Sequence, residues 1–297
     1  MTIQHVTVAG DGVLGSQIAF QTAFKGYNVT LYDINEKTVK HAQLLISQLQ
    51  PSYEHDLQVT VDDFQTAMSR MTFSTDLADA TKDADLIIEA IPEKISIKQS
   101  FYKELSQVVP KDAIFASNSS TLLPSDIAPA TGRPTRFLNL HFANQIWLRN
   151  TAEVMGSPET NPAVFNTVVD FAKSIGMIAI PLQKEQPGYV LNSILVPWLN
   201  AALKLWANGI ATPETIDKTW MVVLSSPIGP FGILDMIGLR THYNIVVTEA
   251  ERTGDADLKH AADKMKERID ANLLGPSTGE GFYHYPNPEF MNPDFLK

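Results

Sequence analysis

Near its amino end the chain reads Val6-Thr7-Val8-Ala9-Gly10-Asp11-Gly12-Val13-Leu14-Gly15-Ser16, and this stretch decides the fold. Its first residues are apolar and β-branched, which is typical of a buried strand, and the run stops at Gly10. Glycines recur at Gly12 and Gly15, and residues 13–25 then have the pattern of a helix that ends at Gly26. Strand, glycine-rich turn and helix in this order indicate a place where backbone N–H groups at a helix start can bind a diphosphate.

Each glycine has its own role in such a turn. Gly10 allows the tight turn, Gly12 lets a diphosphate approach the backbone, and Gly15 lets the helix pack closely on the strand. A second predicted strand, residues 28–33, ends in Asp33, whose carboxylate is placed to bind the ribose hydroxyls of a dinucleotide. No arginine follows Asp33 and the next charged residue is also acidic, which would repel a 2′-phosphate. Glycine-rich turns also connect strands to helices where no ligand binds, but the flanking strand and helix and the position of Asp33 favour a dinucleotide site. The acidic residues after the second strand favour NAD over NADP.

Composition limits the class of protein. The chain has 297 residues, of which 44% are hydrophobic and 19% charged, which is enough for two globular domains with full cores. The net charge of -10 argues against nucleic acid or an anionic membrane as partner. There is no cysteine, so disulfides and thiol catalysis are excluded, and the histidines lack metal-ligand spacing, so we expect no metal site. With no targeting peptide recognisable at the amino end, we predict a cytoplasmic protein.

The spacing of apolar runs predicts an α/β fold. Residues 85–90 and 113–116 have the character of strands buried on both faces, and helical patterns alternate with such runs as far as residue 181. We therefore expect a Rossmann-type doubly wound sheet over residues 1–186, the NAD-binding domain. The polar segment before Pro187-Gly188 marks the boundary, and residues 187–297 are predicted to form an all-helical domain for substrate binding and dimerisation.

The helical domain is predicted to contain four helices, at residues 189–208, 213–224, 239–252 and 255–274. The first is apolar nearly all round but is interrupted by polar residues and Pro197, so it is a poor membrane span. Its apolar surface is expected to be buried against the first domain or a second subunit.

Two predicted strands, residues 136–142 and 151–155, carry the candidate acid–base pair. His141 and Glu153 are equidistant from Trp147, so they face each other if the chain folds back there. Oxidation of an alcohol with a nicotinamide cofactor needs a base that also donates in reverse, and histidine suits both directions. A carboxylate that accepts a hydrogen bond from the other ring nitrogen fixes the tautomer of the imidazole. A histidine at a strand end is more often structural, but the cofactor site upstream favours the catalytic interpretation.

Four further polar residues remain open between a functional and a structural role. Ser120 and Asn118 can bind a substrate oxygen or the nicotinamide amide, or they can satisfy their own loop. Asn192 lies on an apolar helix and needs a partner, either on a neighbouring helix or in the cleft between the domains. Glu93, behind Pro92, has the position of an acid in the first turn of a helix.

Taken together, these segments resemble the 3-hydroxyacyl-CoA dehydrogenase family over nearly the whole chain. The matching segments are Gly10-Asp11-Gly12-Val13-Leu14-Gly15, Asp33, Ala90-Ile91-Pro92-Glu93, Ala116-Ser117-Asn118-Ser119-Ser120, Leu140-His141-Phe142 with Asn144, Glu153, Pro187-Gly188-Tyr189-Val190-Leu191-Asn192, Pro227-Ile228-Gly229-Pro230-Phe231 and Thr278-Gly279-Glu280-Gly281-Phe282-Tyr283. The resemblance implies that His141 is the acid/base paired with Glu153 and that Ser120 and Asn192 hold the reacting oxygens. It also implies a homodimer joined through the helical domain.

The resemblance extends to the cofactor. It places Val13 and Leu14 with the glycines in the dinucleotide turn, and it implies that Glu93, Lys98 and Asn144 help to seat the nicotinamide half of NAD, with Asn118 nearby.

Departures from the family pattern bear on the substrate. The family usually has a proline after the Asn at 144, where this chain has Gln145, and a lysine where it has Ser277. Where family members contact coenzyme A with a serine and a lysine, this chain has Leu49 and Asp56, and residues 41–69 contain no lysine or arginine. Because coenzyme A is an anion, this segment would repel it.

The segments around the candidate site also resemble those of bacterial diketoreductases, members of the family that reduce 1,3-dicarbonyl compounds free of coenzyme A. We therefore expect an NAD(H)-dependent oxidoreductase that interconverts 3-oxo and 3-hydroxy compounds, and leave an acyl-CoA and a free β-keto acid or ester both open. One rival interpretation is a non-catalytic, crystallin-like NAD-binding protein. Another is a β-hydroxyacid dehydrogenase that uses a lysine of the helical domain, for which Lys204 is the candidate.

Overall fold

The computed structural model describes residues 2–297 and separates the chain into two compact units. The first ends at Val190 and the second begins at Leu191. Among the described residues, no helix has the length and apolar character needed to cross a bilayer.

The first unit is built on one sheet of eight strands. The strands are β1 (His5–Ala9), β2 (Asn28–Tyr32), β3 (Met71–Ser74), β4 (Leu86–Glu89), β5 (Ile114–Ser117), β6 (Phe137–Phe142), β7 (Thr151–Gly156) and β8 (Ile178–Pro181). Their order is β3-β2-β1-β4-β5-β6-β7-β8, and all neighbours are parallel except β6 and β7, which are antiparallel. The first six strands thus have the doubly wound order, which reverses between β1 and β4. The predicted α/β fold is confirmed.

Eight α-helices lie in the described part of the first unit, and together they bury the apolar faces of the sheet. They are α1 (Val13–Phe24), α2 (Glu36–Ser47), α3 (Gln50–Leu57), α4 (Val61–Met68), α5 (Leu77–Thr81), α6 (Ile95–Val108), α7 (Pro124–Ile127) and α8 (Pro162–Ser174). The central strands β4 and β5 are wholly buried, as their Ile- and Leu-rich sequences predict.

The second unit is helical, as predicted. Its helices are α9 (Leu191–Ala207), α10 (Pro213–Leu224), α11 (Pro230–Ile237), α12 (Leu239–Thr253) and α13 (Ala256–Asp270). Two buried aspartates hold it together: Asp217 accepts hydrogen bonds from the N–H groups of Phe231 and Gly232 at the start of α11, and Asp235 accepts from those of Phe282 and Tyr283.

Several element boundaries differ from the sequence prediction for local reasons. Helix α6 begins at Ile95 rather than at Pro92, because the carboxylate of Glu93 is used by another loop and Lys94 is the N-cap. No helix was predicted from the sequence at α3, α4, α5, α7 or α11; α11 has eight residues and begins at a proline.

Candidate active site

The glycine turn after β1 is closely packed at Gly10 and Gly15 and open at Gly12, as a diphosphate site requires. Gly10 has φ +125°, and a Cβ there would lie 2.5 Å from the carbonyl oxygen of Ala90. A Cβ on Gly15 would lie 2.3 Å from the carbonyl oxygen of Gly10, so helix α1 packs directly on the turn. At Gly12 a Cβ would meet nothing within 4 Å, and no side chain caps the start of α1. The first N–H groups of the helix are therefore left for an anion.

The remaining residues predicted at the dinucleotide site lie around this turn. Asp33 directly follows β2, and its Oδ1 accepts a hydrogen bond of 2.7 Å from the N–H of Ile34. Val13 is exposed and Leu14 half-buried in the first turn of α1. The carboxyl ends of β1, β2 and β4 lie at one edge of the sheet, which is where ligands of doubly wound folds bind.

His141 and Glu153 face each other across the antiparallel strand pair. The register places His141 of β6 opposite Glu153 of β7, as the symmetry about Trp147 predicts. Nδ1 of the imidazole lies 3.1 Å from Oε2 of Glu153, and both side chains are buried. The other carboxylate oxygen, Oε1, accepts a 2.9 Å hydrogen bond from the N–H of Val190. The carboxylate is thereby fixed on both sides, and it fixes the plane of the ring.

Ser120 lies at the opposite side of the same imidazole. Its Oγ is 3.1 Å from Nε2 of His141. Ser120 belongs to the turn that follows β5, and this turn is held by Glu93, whose Oε1 accepts hydrogen bonds from Ser119 Oγ and from the N–H groups of Ser120 and Thr121. The structure thus brings Ser120, His141, Glu153 and Glu93 together.

Lys98 is buried behind Glu93 and not open to the surface. Its side chain is only 1% exposed; the ammonium lies 2.5 Å from Glu89 Oε1 and 3.2 Å from Glu93 Oε2. Burial raises the pKa of Glu93, but hydrogen bonds from Ser119 and Thr121 and the charge of Lys98 outweigh it and lower the pKa to about 2. Glu93 is therefore ionised at neutral pH.

Glu89 is a residue of this network that the sequence analysis missed. It is fully buried at the end of β4 and also accepts a 2.7 Å hydrogen bond from Ser117 Oγ. An acid that ends the apolar run Leu86-Ile87-Ile88 was the available signal, because a carboxylate at that position must be paired if it is buried.

Asn118 is hydrogen-bonded to the hairpin of β6 and β7, and Asn144 is hydrogen-bonded to helix α1. Asn118 Oδ1 accepts from the N–H of Phe142 at 3.0 Å, and Asn144 Oδ1 accepts from Gln17 Nε2 at 2.8 Å. Gln17 Oε1 in turn accepts from the N–H of Gln145 at 2.8 Å. Gln145 has φ +61°, a value that proline cannot adopt, so the loop conformation of this chain is incompatible with a proline at this position.

The acidic segment of residues 41–69 packs beside the connector between β6 and β7. Trp147 of the connector donates a 2.8 Å hydrogen bond from Nε1 to Asp56 Oδ2, and its ring lies 5.3 Å from that of Tyr53. The bonds from Trp147 and His55 lower the pKa of Asp56, which keeps it charged.

Two predicted residues lie in the second unit. Asn192 occupies the second position of α9 and is half-buried, and its predicted contact with the reacting oxygen stays a prediction. The ammonium of Lys204 is paired with the carboxylate of Asp255.

Ser120, His141 and Glu153 have the connectivity of a hydrolytic triad, but their surroundings favour proton transfer without acylation. A serine nucleophile needs nearby N–H groups to stabilise an oxyanion. Here the N–H groups of Ser120 and Thr121 already donate to the ionised Glu93. A second negative charge would be repelled at this place, so these two N–H groups do not form an oxyanion hole.

The chain is similar to known proteins over nearly its whole length. Residues 5–186 match the family described as 3-hydroxyacyl-CoA dehydrogenase, NAD binding domain, and residues 188–285 match its C-terminal domain. The mitochondrial hydroxyacyl-coenzyme A dehydrogenase of Homo sapiens is 33% identical over 288 residues, which cover 95% of this chain and 91% of the human protein.

Two solved structures of related enzymes are also similar to this chain over most of its length. A diketoreductase, described in a study of its substrate-directed dual catalysis of dicarbonyl compounds, is 51% identical with a TM-score of 0.91, covering 96% of this chain and 100% of the other. The (S)-3-hydroxybutyryl-CoA dehydrogenase of Ralstonia eutropha is 31% identical with a TM-score of 0.84, covering 96% of this chain and 99% of the other.

Proposed function

Because the chain belongs to the 3-hydroxyacyl-CoA dehydrogenase family of NAD-dependent oxidoreductases, we propose that it interconverts 3-oxo and 3-hydroxy compounds with His141 as the proton donor and acceptor. The observation that carries this proposal is the position of the imidazole, with Nδ1 on Glu153 and Nε2 beside Ser120. Glu153 holds the proton of Nδ1, which leaves Nε2 to exchange a proton with the substrate oxygen.

Other residues of the first unit bind the cofactor, and His141 and Glu153 transfer and stabilise the proton. NAD, when bound, accepts or supplies the hydride. Gly10, Gly12 and Gly15 shape a turn with room for its diphosphate, and Asp33 binds the ribose hydroxyls. In the direction of reduction, His141 gives its Nε2 proton to the carbonyl oxygen, and Glu153 stabilises the imidazolium before that step.

Further roles follow from the contacts within the unit and from the family. Ser120 orients the carbonyl oxygen, Asn192 is its second donor, and Asn118 and Asn144 bind near the nicotinamide. Lys98 acts as a positioning residue, since its ammonium reaches Glu93 and not the surface. Residues 1–186 form the NAD-binding domain in this proposal, and residues 187–297 the domain for substrate binding and dimerisation.

For the substrate we favour 1,3-dicarbonyl compounds without coenzyme A. The ionised Asp56 is held beside the connector of the His141–Glu153 hairpin, in a segment that contains no lysine or arginine. The phosphates of coenzyme A would be repelled there, while a neutral keto ester would not. The 51% identity with a diketoreductase supports the same substrate class.

Two experiments test the proposal separately. Replacing His141 by Ala should abolish turnover and leave NADH affinity unchanged, while the matched variant His5→Ala, at an exposed histidine of the same unit, should keep full activity. Turnover by His141→Ala above one hundredth of the wild-type rate would refute the role of His141. Comparing acetoacetyl-CoA with a free 3,5-dioxo ester, followed by NADH absorbance, tests the substrate: a higher kcat/KM for the CoA thioester would refute the CoA-free assignment alone.

A homodimer is part of the proposal. Within the second unit, α9 and α10 border an apolar groove of about 470 Å³. Its lining includes Trp198, Trp220 and Val223, and Val223 is 73% exposed. A surface of this kind is typical of an oligomer interface. Light scattering coupled to size-exclusion chromatography should give twice the chain mass of 32.8 kDa. Mammalian relatives carry mitochondrial names, so the cytoplasmic location stays a prediction.

The rival functions predict different results. For a lysine-dependent enzyme, Lys204→Met would abolish turnover; we expect turnover to persist, because Lys204 is engaged with Asp255. A non-catalytic NAD-binding protein would bind NADH and reduce no compound in a broad 3-oxo panel.

A further inference from the structure

Tyr189 takes a backbone conformation that a bulky residue rarely adopts. Its φ is +55°, and it follows Gly188 at φ +79°, so two consecutive residues are left-handed just before the first unit ends. A side chain with a Cβ is strained there, and such strain persists only where surrounding contacts hold it. The ring is nevertheless 1% exposed, which means that the strained backbone delivers a large side chain into the interior.

The ring of Tyr189 lies flat against the imidazole of His141. The two ring centroids are 4.7 Å apart and the planes differ by 17°. The stack covers one face of the imidazole and leaves the two nitrogens at its edges, where Glu153 and Ser120 are bound. Rotation of the imidazole out of this plane would break the stack and both edge contacts together.

The hydroxyl group of Tyr189 is held by two hydrogen bonds. It donates a 2.5 Å hydrogen bond to the carbonyl oxygen of Ser119 and accepts one of 2.9 Å from Asn139 Nδ2. Asn139 and His141 lie on the same face of β6, so the tyrosine ring spans both residues. Ser119 precedes Ser120, which contacts Nε2 of the imidazole.

The next residue completes the arrangement. The N–H of Val190 binds Glu153 Oε1, the carboxylate whose other oxygen faces His141. Resting on the function proposed above, we propose that Tyr189 is a positioning residue that fixes the plane of His141 and favours its protonated form through the aromatic face.

The physical basis is the quadrupole of the ring. A cation above an aromatic face is attracted to it, so the stack favours the imidazolium that must form before the carbonyl is protonated. The charged groups around this imidazolium are Glu153 on β7, in direct contact, and Glu93 behind the turn of Ser120. Both are carboxyl groups, and neither side chain is altered by a substitution at Tyr189.

Two substitutions separate the ring from the hydroxyl. Tyr189→Phe keeps the stack and loses the bonds to Ser119 and Asn139, and we expect its kcat within about fivefold of wild type, the effect of one or two neutral hydrogen bonds. Tyr189→Leu removes the stack, and we expect kcat to fall by at least thirtyfold, roughly the cost of losing ring orientation and cation–π stabilisation, with the dissociation constant of NADH unchanged. Phe171→Leu, a buried aromatic residue of α8 in the same unit, is the matched control for lost packing and should keep kcat.

The pH profile distinguishes positioning from packing. In the reduction of a 3,5-dioxo ester, the substrate takes up a proton, so the rate falls as pH rises. Without the aromatic face this fall should occur about half a pH unit lower in Tyr189→Leu than in Tyr189→Phe, a shift that lost packing would not produce.

The results that overturn the inference are distinct from those that overturn the function. Equal pH profiles for the two variants, or a kcat for Tyr189→Leu equal to that of Phe171→Leu, would refute the role of Tyr189 while leaving His141 in place. Full activity of His141→Ala would instead refute the function. If Tyr189→Leu does not fold, Tyr189→Met, whose unbranched side chain adapts to irregular space and has no ring, is judged by the same criteria.

Discussion

Glu153→Gln is the substitution whose effect follows most directly from the hydrogen bonds around His141. In the native protein, Oε1 of Glu153 accepts from the N–H of Val190 and Oε2 faces Nδ1 of the imidazole. A glutamine must keep its carbonyl oxygen on the N–H of Val190, so its NH₂ group replaces Oε2 opposite Nδ1. Two donors then meet whenever Nδ1 carries a proton. The neutral ring is driven to the other tautomer, and the imidazolium loses its counterion.

The size of the effect follows from the burial of the pair. His141 and Glu153 are 7% and 4% exposed, so solvent screens their interaction weakly. Breaking a buried ion pair by removing one partner costs about 3–5 kcal/mol. If this cost falls on the imidazolium that donates the proton, kcat for reduction drops by about 10²- to 10⁴-fold, at 1.36 kcal/mol for each factor of ten.

The assay is steady-state reduction of a 3,5-dioxo ester, followed by NADH absorbance, with NADH affinity measured separately by fluorescence titration. Glu159→Gln is the matched control, because it makes the same charge change at an exposed position shortly after β7. A kcat for Glu153→Gln within threefold of that control would show that the carboxylate does not orient the ring. Parallel loss of NADH binding would show that it supports the fold and not the reaction.

Replacing Gln145 by proline should destabilise the protein by roughly 2–5 kcal/mol, because φ +61° and the N–H bond to Gln17 are both lost; thermal unfolding should show no such loss for Gln145→Gly. Burial raises the pKa of Asp217 from 3.8 to about 6, so its contribution to stability is present below pH 3.8 and is lost as pH rises through 6. The melting temperature of wild type relative to Asp217→Asn should therefore fall over that window, and a constant difference would contradict the assignment. Asp33→Ser should narrow the preference for NADH over NADPH by about tenfold, since a carboxylate no longer repels the 2′-phosphate; an unchanged ratio of dissociation constants would place the ribose elsewhere.

The parts of the fold that the sequence predicted are those governed by local pattern. The glycine turn could be predicted because it depends only on the spacing of its glycines and on a positive φ at Gly10. The strand order could be predicted in outline because buried parallel strands prefer isoleucine and leucine, which mark the strands in the sequence. The pairing of His141 with Glu153 was predictable because an antiparallel hairpin places residues at equal distance from its midpoint opposite each other.

The parts that could not be predicted depend on contacts between distant segments. Glu93 had the position of a first-turn helical acid, but its carboxylate is bound by a turn that is 26 to 28 residues away in the chain. Lys98 is a typical surface residue by type, and its burial follows from pairing with Glu89. Tyr189 gave no signal of its own, because a left-handed tyrosine is recognisable only once the turn is built.

The single antiparallel pair in the sheet has an evolutionary consequence. Both members of the proposed acid–base pair lie on one hairpin, and the strand register places them opposite each other without a direct contribution from the connector between Phe142 and Thr151. Ser120 and Val190 secure the pair from outside the connector. Sequence changes in this short loop can therefore reshape the surface beside the proposed site during evolution, while the register that holds His141 opposite Glu153 is retained.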